Sequence, residues 1–364
     1  MAAYTTIDDP EAYFQTVIWT GNGTDGRTIT LPGSTDMQPD FIWVKNRSDG
    51  EDHCLMDVVR TFASGKAMRT NGGDEEGGVG TASRGWVEAA SDGFTCEDGS
   101  SNANLVNASS DTYVAWCWKA GGGSGSSNTA GSINTTSTSV DTTSKFSIST
   151  YTGNDTAGAT IGHGLGVVPH LIIIKSRSHV QSWVVYQHKN TSAPETDYLL
   201  LNTTAATADN SNRWNDTAPS STLITLGDEN QSNGSGYTYV AYAWSEVQGF
   251  SKFGTYTGNG NADGTFVYTG FRPAFVLVKR TNTSGGNWWL WDNKRLGYNA
   301  ANDNQYADLN NAEDTSGRGI NLLSNGFKCI STDNGSNGSG NTYIYAAFAH
   351  SPFVNSSGVP NNPR

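Results

Sequence analysis

A strand-like pattern of apolar positions occurs three times along the chain. It reads PDFIWVK at residues 39–45, PHLIIIK at 169–175 and PAFVLVK at 273–279. Each copy has Pro at its start, a run of four apolar residues, and Lys six positions after the Pro. Pro suits the first position of a strand, where its missing N–H breaks no ladder hydrogen bond. The pattern predicts a core strand that emerges into solvent at its lysine, whose stem covers the apolar end. These lysines are Lys45, Lys175 and Lys279.

A second alternating segment closes each copy. It reads DTYVAWCWKA at 111–120, YTYVAYAWSE at 237–246 and NTYIYAAFAH at 341–350. From the repeated Lys to the Thr of this segment there are 67 residues in the first copy and 63 in the other two. Both faces of such a strand are apolar, because Tyr113, Ala115 and Cys117 alternate with Val114, Trp116 and Trp118. We expect cover on both sides, by a second sheet and by a neighbouring unit or subunit.

Turn signals complete the repeated pattern. The stretches IWTGNG at 18–23, TYTGND at 150–155 and TYTGNG at 255–260 end in Asn-Gly or Asn-Asp. Asn-Gly and Asp-Gly pairs are hairpin signals, because type I′ turns need positive φ at both central residues. Each repeat has about 105 residues, the size and strand spacing of a β-sandwich. We therefore predict an all-β fold of three tandem homologous β-sandwich units, jelly-roll or lectin-like.

The repeats divide the chain into six predicted regions. They are an N-terminal arm (1–15), a first sandwich (16–120), a Gly/Ser/Thr-rich linker (121–144), a second sandwich (145–250), a third sandwich (251–354) and a C-terminal tail (355–364). The composition of the linker predicts a flexible segment. Because the join between the second and third units is short and apolar, we expect those two to pack as a pair while the first sits apart.

Charge and hydropathy narrow the range of partners. The 364 residues include 43 Gly, 11 Trp and 15% charged side chains, with a formal net charge of −12. Nucleic acids and anionic membranes need a cationic face, so neither is expected as a partner. No apolar run approaches a membrane span, so no membrane insertion is expected. The start of the chain has neither the basic nor the apolar region of a signal peptide.

Metal and cofactor chemistry is not expected from the cysteines and histidines. The four cysteines are Cys54, Cys96, Cys117 and Cys329, and none form a Cys-x-x-Cys pair. We interpret them as buried free thiols. The six histidines show no helical metal-ligand spacing. The stretch NGNADG at 259–264 has part of a calcium loop but lacks the acidic residue at position twelve, so it is interpreted as a turn. We predict no metal and no cofactor.

The chain resembles a known family of virion proteins. The residues that carry the resemblance are TTIDDPEAYFQT (5–16), QPDFIWVKNRS (38–48), TYVAWCWKAGG (112–122), GHGLGVVP (162–169), RWNDTAP (213–219), residues 249–281 and the end GVPNNPR (358–364). They resemble a family of repeat-containing, tail-fibre-like structural proteins of marine tailed phages, especially cyanophages. The resemblance covers nearly the entire chain. It implies a virion location after assembly in the host cytoplasm, contact with other virion proteins, and no catalytic residues.

A repeated acidic–basic pair is the main polar motif inside the repeats. LMDVVR at 55–60 aligns with LWDNKR at 290–295, which places Asp57 with Arg60 and Asp292 with Arg295. Three residues apart in a bend, such a pair can bond through the two-pronged guanidinium. We interpret it as a structural pair at a strand exit, with ligand binding as the alternative.

The sequence shows no catalytic motif. The chain lacks a G-x-S-x-G nucleophile motif, and no carboxylate pair for glycoside hydrolysis recurs across the repeats.

One stretch of the third repeat suggests glycan recognition. In NWWLWDNKR (287–295), Trp289 and Trp291 align with core residues of the second repeat and are expected to face inward. Trp288 then faces outward beside Asp292, and an aromatic face next to a carboxylate is what a sugar ring stacks on. Trp288 and Asp292 are the candidate glycan-binding residues. In the alternative, Trp288 packs against the second unit or another subunit.

The sequence as a whole favours a structural function over catalysis. We predict a phage virion structural protein, a fibre or appendage subunit on the tail or capsid that contributes to host attachment. We expect a homo-oligomer, a trimer above all, and the low charge and Gly/Asn/Ser-rich surface suit packed subunits and adhesive loops. The alternative is a carbohydrate-binding module for host surface polysaccharide. A glycan-degrading enzyme is the third reading, and we predict no enzymatic activity.

Overall fold

The computed structural model describes residues 4–78, 84–97, 104–295, 299 and 303–360. The structure is 2% helical and 40% strand, arranged in antiparallel sheets, so the predicted all-β class is confirmed. The strands follow the β-branched and aromatic runs, and the Gly- and Asn-rich stretches lie between them.

The strands fall into three consecutive segments. The first segment begins with a 3-10 helix, Pro10–Ala12, and contains β1 Phe14–Thr20, β2 Arg27–Thr30, β3 Phe41–Asn46, β4 Cys54–Asp57, β5 Trp86–Ala90, β6 Gly93–Glu97 and β7 Thr112–Trp118. The second contains β8 Ser137–Asp141, β9 Phe146–Thr152, β10 Ala159–Gly162, β11 Leu171–Ser176, β12 Val184–Gln187, β13 Asp197–Leu200, β14 Ala208–Asp209, the helix α1 Ser211–Trp214, β15 Leu223–Leu226 and β16 Thr238–Trp244. The third contains β17 Ser251–Thr257, β18 Phe266–Tyr268, β19 Phe271–Arg280, β20 Trp288–Asp292, β21 Gln305–Tyr306, β22 Ile320–Leu323, β23 Gly326–Cys329 and β24 Thr342–Pro352.

One strand order occurs in all three segments. The larger sheets contain β1-β7-β3-β4, β9-β16-β11-β12 and β17-β24-β19-β20, so the closing strand always lies between the first strand and the Pro-led strand. Each segment also has a smaller sheet, β2-β6-β5, β10-β15 or β18-β23-β22. The division into three tandem sandwiches of jelly-roll or lectin type stays a prediction.

The closing strands are covered on both faces, as their alternation predicts. In β7, Tyr113, Ala115 and Cys117 belong to a core shared with the smaller sheet of the first segment. The alternate residues Val114, Trp116 and Trp118 belong to a different core, which also takes residues from the second and third segments. The sheet therefore packs on its own smaller sheet on one side and on the rest of the chain on the other.

The apolar cluster between the three larger sheets is called the central core here. Trp118 of the first segment lies with its ring centroid 5.5 Å from Phe275 and 5.3 Å from Phe348 of the third, and 6.5 Å from Trp244 of the second. All three pairs are edge-to-face, the arrangement that the ring quadrupole favours. A void of about 30 Å³ with a wholly apolar lining remains at the centre. Such a lining offers a water molecule no hydrogen-bond partners.

The first segment does not sit apart from the other two. Besides the rings of the central core, Phe41 packs against Phe146 at 5.8 Å and Tyr242 at 4.9 Å. The expectation of a separate first unit is wrong because its large apolar face has to be buried, and the other two segments supply the matching faces.

The predicted flexible linker contains ordered structure. Within residues 121–144, β8 pairs along its length with β9, and Ser126 forms a further bridge to Thr138. Gly125 allows this close approach, since a Cβ there would lie 1.9 Å from the Thr138 carbonyl oxygen, and its φ is +76°. Composition missed this strand because strand pairing satisfies backbone groups without apolar side chains, and β9 offers an open edge.

The turns after β1, β9 and β17 differ from the predicted hairpins. Each connects a larger sheet to a smaller one, so its flanking strands do not pair with each other. A fully buried asparagine before each closing strand holds the turn in place. Its side chain accepts a hydrogen bond from the turn backbone: Asn107 from Asn22 at 3.2 Å, Asn233 from Asn154 at 2.9 Å, and Asn337 from Asn259 at 3.1 Å.

The shared central core predicts that the three segments unfold together. Trp118→Ala removes ring contacts to both other segments, and truncation of a buried Trp costs about 3–5 kcal/mol. We expect one lower calorimetric transition, with all three segments melting at the same temperature. Ile18→Ala on β1 is the control, because Ile18 is exposed and such changes stay within about 0.5 kcal/mol. Melting of the first segment alone would contradict the arrangement.

Candidate functional site

The two residues predicted to bind glycan lie inside the protein. Trp288 and Asp292 are each 2% exposed, at opposite ends of β20. The indole Nε1 of Trp288 donates to the Leu200 carbonyl of the second segment at 2.9 Å. The outward orientation expected for Trp288 is wrong, and the alternative contact with the second segment is what the structure shows. Its ring has no exposed face for a sugar, whereas Trp289 and Trp291 are buried as predicted.

Asp292 is saturated by hydrogen bonds. Its Oδ2 accepts from Arg295 Nε at 2.7 Å and from Trp116 Nε1 of the first segment at 3.0 Å. Its Oδ1 accepts from the backbone N–H groups of Lys294 and Arg295, each at 3.0 Å. Burial alone would raise the pKa of Asp292, but the guanidinium and these hydrogen bonds hold it below its ordinary value. The carboxylate is therefore charged and fully engaged.

Asp292 belongs to a buried junction between the third and first segments. Arg295 also donates from Nη1 to Glu313 at 2.9 Å, and Glu313 in turn binds Arg47 of the first segment at 2.7 Å. The predicted Asp292–Arg295 pair forms as expected, but it is buried and not at the surface. Asp292, Arg295, Glu313 and Arg47 thus form a chain of alternating charges that connects the third segment to the first.

The junction between the first and second segments repeats this arrangement. The predicted pair of Asp57 and Arg60 forms at 2.5 Å, with both side chains fully buried. Asp57 accepts from the hydroxyl of Tyr242 in the second segment at 2.7 Å. Arg60 contacts Glu76 at 3.0 Å, and Glu76 binds Arg177 of the second segment at 2.8 Å.

The third junction, between the second and third segments, has no charges at the same positions. Gln187 aligns with the two aspartates and donates to the Gly254 carbonyl at 3.1 Å. The residue of the third segment that aligns with Tyr242 and Trp116 is Ala346, which has no donor. Here the backbones of Thr207 and Thr281 meet directly, with a hydrogen bond of 2.9 Å. A buried carboxylate in place of Gln187 would keep the Lys189 backbone N–H as a donor but would face the Gly254 carbonyl, with no arginine and no donor from the third segment, which accounts for the neutral residue.

An aromatic N–H also crosses each junction, always in the same cyclic direction. The donors occupy one aligned position just before β4, before β12 and at the start of β20. They reach the carbonyl groups of the neighbouring segment: His53 to Tyr306 at 2.9 Å, Trp183 to Arg69 at 3.0 Å and Trp288 to Leu200 at 2.9 Å. The His53 proton is on Nε2, because Nδ1 accepts from Trp43 at 2.8 Å. Burial lowers the pKa of His53 to about 3, so the ring is neutral.

The three repeated lysines are fully buried and do not emerge into solvent. Lys45, Lys175 and Lys279 all have 0% exposure, which overturns the sequence expectation. Their amines donate to carbonyl groups, Lys45 to Asn46 and Lys175 to Ser176, each at 2.6 Å. Burial lowers the pKa of Lys45 and of Lys175 to about 7, and that of Lys279 to about 8. For Lys45 and Lys279 the loop after the strand returns to the amine, where the Asp49 and Gly286 carbonyl groups accept from it, and the strand pattern does not predict this return.

The polar side chains of the three junctions are engaged in ion pairs and hydrogen bonds with one another and with backbone groups. The four cysteines are buried free thiols, as predicted, and burial raises the pKa of Cys54 to about 12. Across the described residues, no group of three or more His, Cys, Asp or Glu side chains is arranged to hold a metal ion. No helix in the described part of the chain is long and apolar enough to cross a membrane. The repeated polar side chains fix how the segments meet.

The sequence indicates some of the charged residues at the junctions but not their partners. Arg47 and Arg177 both stand two residues after a repeated lysine, and this shared spacing is a visible signal. Their partners Glu76 and Glu313 lie in stretches of different length and sequence between the aligned strands. Nothing in the sequence pairs them, since they meet only after the segments have closed on one another.

Comparison with known proteins identifies a family but no activity. The model of a family described as a domain of unknown function (DUF7483) matches residues 9–352. The match spans nearly the whole sequence, so the chain belongs to this family. No curated protein matches the chain, and no solved structure matches it.

Breaking one buried ion pair should cost more than removing its neutral counterpart. Arg60→Met leaves the Asp57 charge buried without its partner, and we expect a loss of about 3–5 kcal/mol in urea unfolding. Gln187→Leu, at the position that aligns with Asp57, is the matched control, with an expected loss of about 1–3 kcal/mol. The triple variant Asp57→Leu, Arg60→Met, Tyr242→Phe should regain much of the stability, since no charge stays unpaired. A loss below about 1 kcal/mol for Arg60→Met would refute the role of this junction.

The buried lysines predict a pH dependence of stability on the alkaline side. The unfolded chain binds these protons up to a pKa of about 10.4. The folded chain releases those of Lys45 and Lys175 near pH 7. The free energy of unfolding should therefore rise from pH 7 to 9, by about 1–3 kcal/mol per lysine. Lys45→Met and Lys175→Met should each flatten the rise, and Lys189→Met, at an exposed lysine, should not. If the free energy of unfolding of the wild type did not change between pH 7 and 9, the lysine amines would be solvated and the prediction would be wrong.

Proposed function

We propose that this member of the DUF7483 family is a structural protein of a phage particle. In this proposal it is a fibre or appendage subunit on the tail or capsid that contributes to host attachment, and it has no enzymatic activity. The resemblance in sequence to tail-fibre-like virion proteins supports this role. The main observation behind the proposal is that each segment meets both of the others, so that three junctions close on one another. The buried ion pairs and the aromatic N–H groups at these junctions hold the segments together.

A rigid body of this kind suits an appendage. The central core and the junctions join three segments into one folded unit, and the polar Gly- and Asn-rich turns lie at its surface. Loops held by a rigid scaffold are common sites of recognition. The buried asparagines that hold the turns supply such support without apolar contacts.

We also propose that the chain forms a homo-oligomer, through surfaces other than the closing strands. The alternation of the closing strands leaves open whether a neighbouring unit or a second subunit covers their outer face. In the structure those faces are buried against one another within a single chain. A homo-oligomer, including a trimer, would therefore use other surfaces. Sedimentation equilibrium of the purified chain measures the stoichiometry directly.

Carbohydrate recognition is the second candidate function. Exposed aromatic residues on β18, next to a surface cleft, favour it, and they are a different set from Trp288 and Asp292. The two functions are compatible, because an appendage that attaches to a host needs a surface that recognises it.

The test of the virion role is the composition of purified particles. Antibodies against the recombinant chain are applied to gradient-purified particles of a phage that encodes it, and the particle proteins are identified by mass spectrometry. We expect the chain in the particles at a fixed ratio to the capsid protein, with antibody visible at a defined structure by electron microscopy. Its presence in infected-cell lysate together with absence from the particles would refute the virion role.

A further inference from the structure

A surface cleft lies where the second segment joins the third. Two adjoining cavities, of about 640 and 430 Å³, share His170 and Glu246 in their walls. The exposed Val167 and Val168 line the larger cavity, and the half-exposed Tyr268 lines the smaller one. Both volumes are within the range of sites for small organic molecules.

Two exposed aromatic rings of the third segment stand beside this cleft, where Tyr4 near the start of the chain also lines the smaller cavity, with its hydroxyl 3.3 Å from that of Tyr268. Phe266 and Tyr268 of β18 are 45% and 51% exposed and share one face of the strand, while Val267 between them is buried. At the aligned positions in β2 of the first segment the chain has Thr28 and Thr30. The central core and the junctions do not use these two rings. The third segment thus presents apolar aromatic surface to water where the fold needs only a small polar side chain.

The polar groups of the cleft are held in fixed positions. Glu246 accepts from the backbone N–H of Phe253 at 2.9 Å, and its other oxygen lies 4.0 Å from the amine of Lys252. Burial alone would raise the pKa of Glu246, but the nearby His188 ring at 3.6 Å, the hydrogen bond from Phe253 and the charge of Lys252 hold that pKa below its ordinary value. The Glu246 backbone N–H donates to Nδ1 of His170 at 2.9 Å, which puts the His170 proton on Nε2.

These groups form a set of complementary contacts for one chemical class. An ionised carboxylate accepts hydrogen bonds, while an ammonium and an imidazole N–H donate them. Glu246 and Lys252 are the charged residues that line the smaller cavity, and together they carry no net charge, so the polar end of that cavity suits neutral hydroxyl groups. A pyranose ring has hydroxyl groups around its edge and an apolar face of C–H groups, and the exposed Tyr268 ring fits such a face.

We propose that this cleft binds a saccharide, with the sugar's apolar face on Tyr268 and Phe266 and its hydroxyl groups on Glu246 and Lys252. The inference deepens the attachment role in the proposed function and rests on that role for its biological meaning. It places recognition on the outer face of the third segment, at residues different from the buried Trp288 and Asp292.

The test compares the aromatic residues with the threonines that occupy their places in the first segment. An array of glucose, galactose, mannose and uronic acid oligomers is probed with the full chain, and the best ligand is measured by calorimetry. The variant Phe266→Thr, Tyr268→Thr should bind at least about tenfold more weakly, because stacking on aromatic rings contributes about 1 kcal/mol or more. Glu246→Gln should also weaken binding, since an uncharged amide accepts weaker hydrogen bonds. Ile18→Thr, at an exposed apolar residue elsewhere, should bind as the wild type does.

Each outcome decides the inference separately from the virion role. Loss of binding in the double variant, with an unchanged melting temperature, supports the proposed site. Full binding by the double variant, or no binding of any oligomer by the wild type, overturns it. A preference for uronic acid oligomers would overturn the part that assigns neutral hydroxyl groups to the polar end. Presence or absence of the chain in purified particles decides the virion role in every case.

Discussion

The structure depends on one constraint: each larger sheet is apolar on both faces and can be buried only between two partners. The smaller sheet of the same segment covers one face. In this chain, the larger sheets of the other two segments cover the other, and Trp118, Trp244 and Phe348 meet in the central core. A sheet with two apolar faces is normally buried on both sides. Three such sheets in one chain satisfy this requirement for one another, as the subunits of a closed trimer would.

The polar side chains of the three junctions give this packing its specificity. Apolar faces alone would pack in several registers, whereas a buried carboxylate tolerates only a position with its donors in place. Asp57 requires both Arg60 and Tyr242, and where the third segment offers no equivalent donor, the facing position of the second segment is Gln187 instead. Buried charge of this kind contributes little net stability, because desolvation offsets the attraction. Its effect here is to select which faces meet.

The sequence predicted local structure more successfully than long-range packing. The alternation of Tyr113 to Trp118 gave the strand, both covered faces and the correct division of its side chains. The same reasoning failed for Lys45, because burial of its amine depends on how the following loop folds back, with the Asp49 carbonyl on the amine, and alternation along the strand does not predict that. It failed for Trp288 because whether that ring meets water or Leu200 depends on how two segments close. The strand in the supposed linker was missed for a related reason, since backbone pairing needs a neighbouring edge and not an apolar composition. The sequence contains Phe266 and Tyr268 but does not predict that their side chains are exposed to solvent.

The central claim is that three junctions hold the chain as one body, and hydrogen exchange of three indole groups tests it most directly. The Nε1–H groups of Trp116, Trp183 and Trp288 each cross a different junction. Native-state exchange of these protons is followed by NMR of tryptophan-labelled protein at increasing low concentrations of denaturant. If the segments open only together, all three protons exchange with the free energy of global unfolding. Exchange of any one of them at a clearly lower free energy, with unfolding of the whole chain unchanged, would show that its segment detaches and would contradict the account.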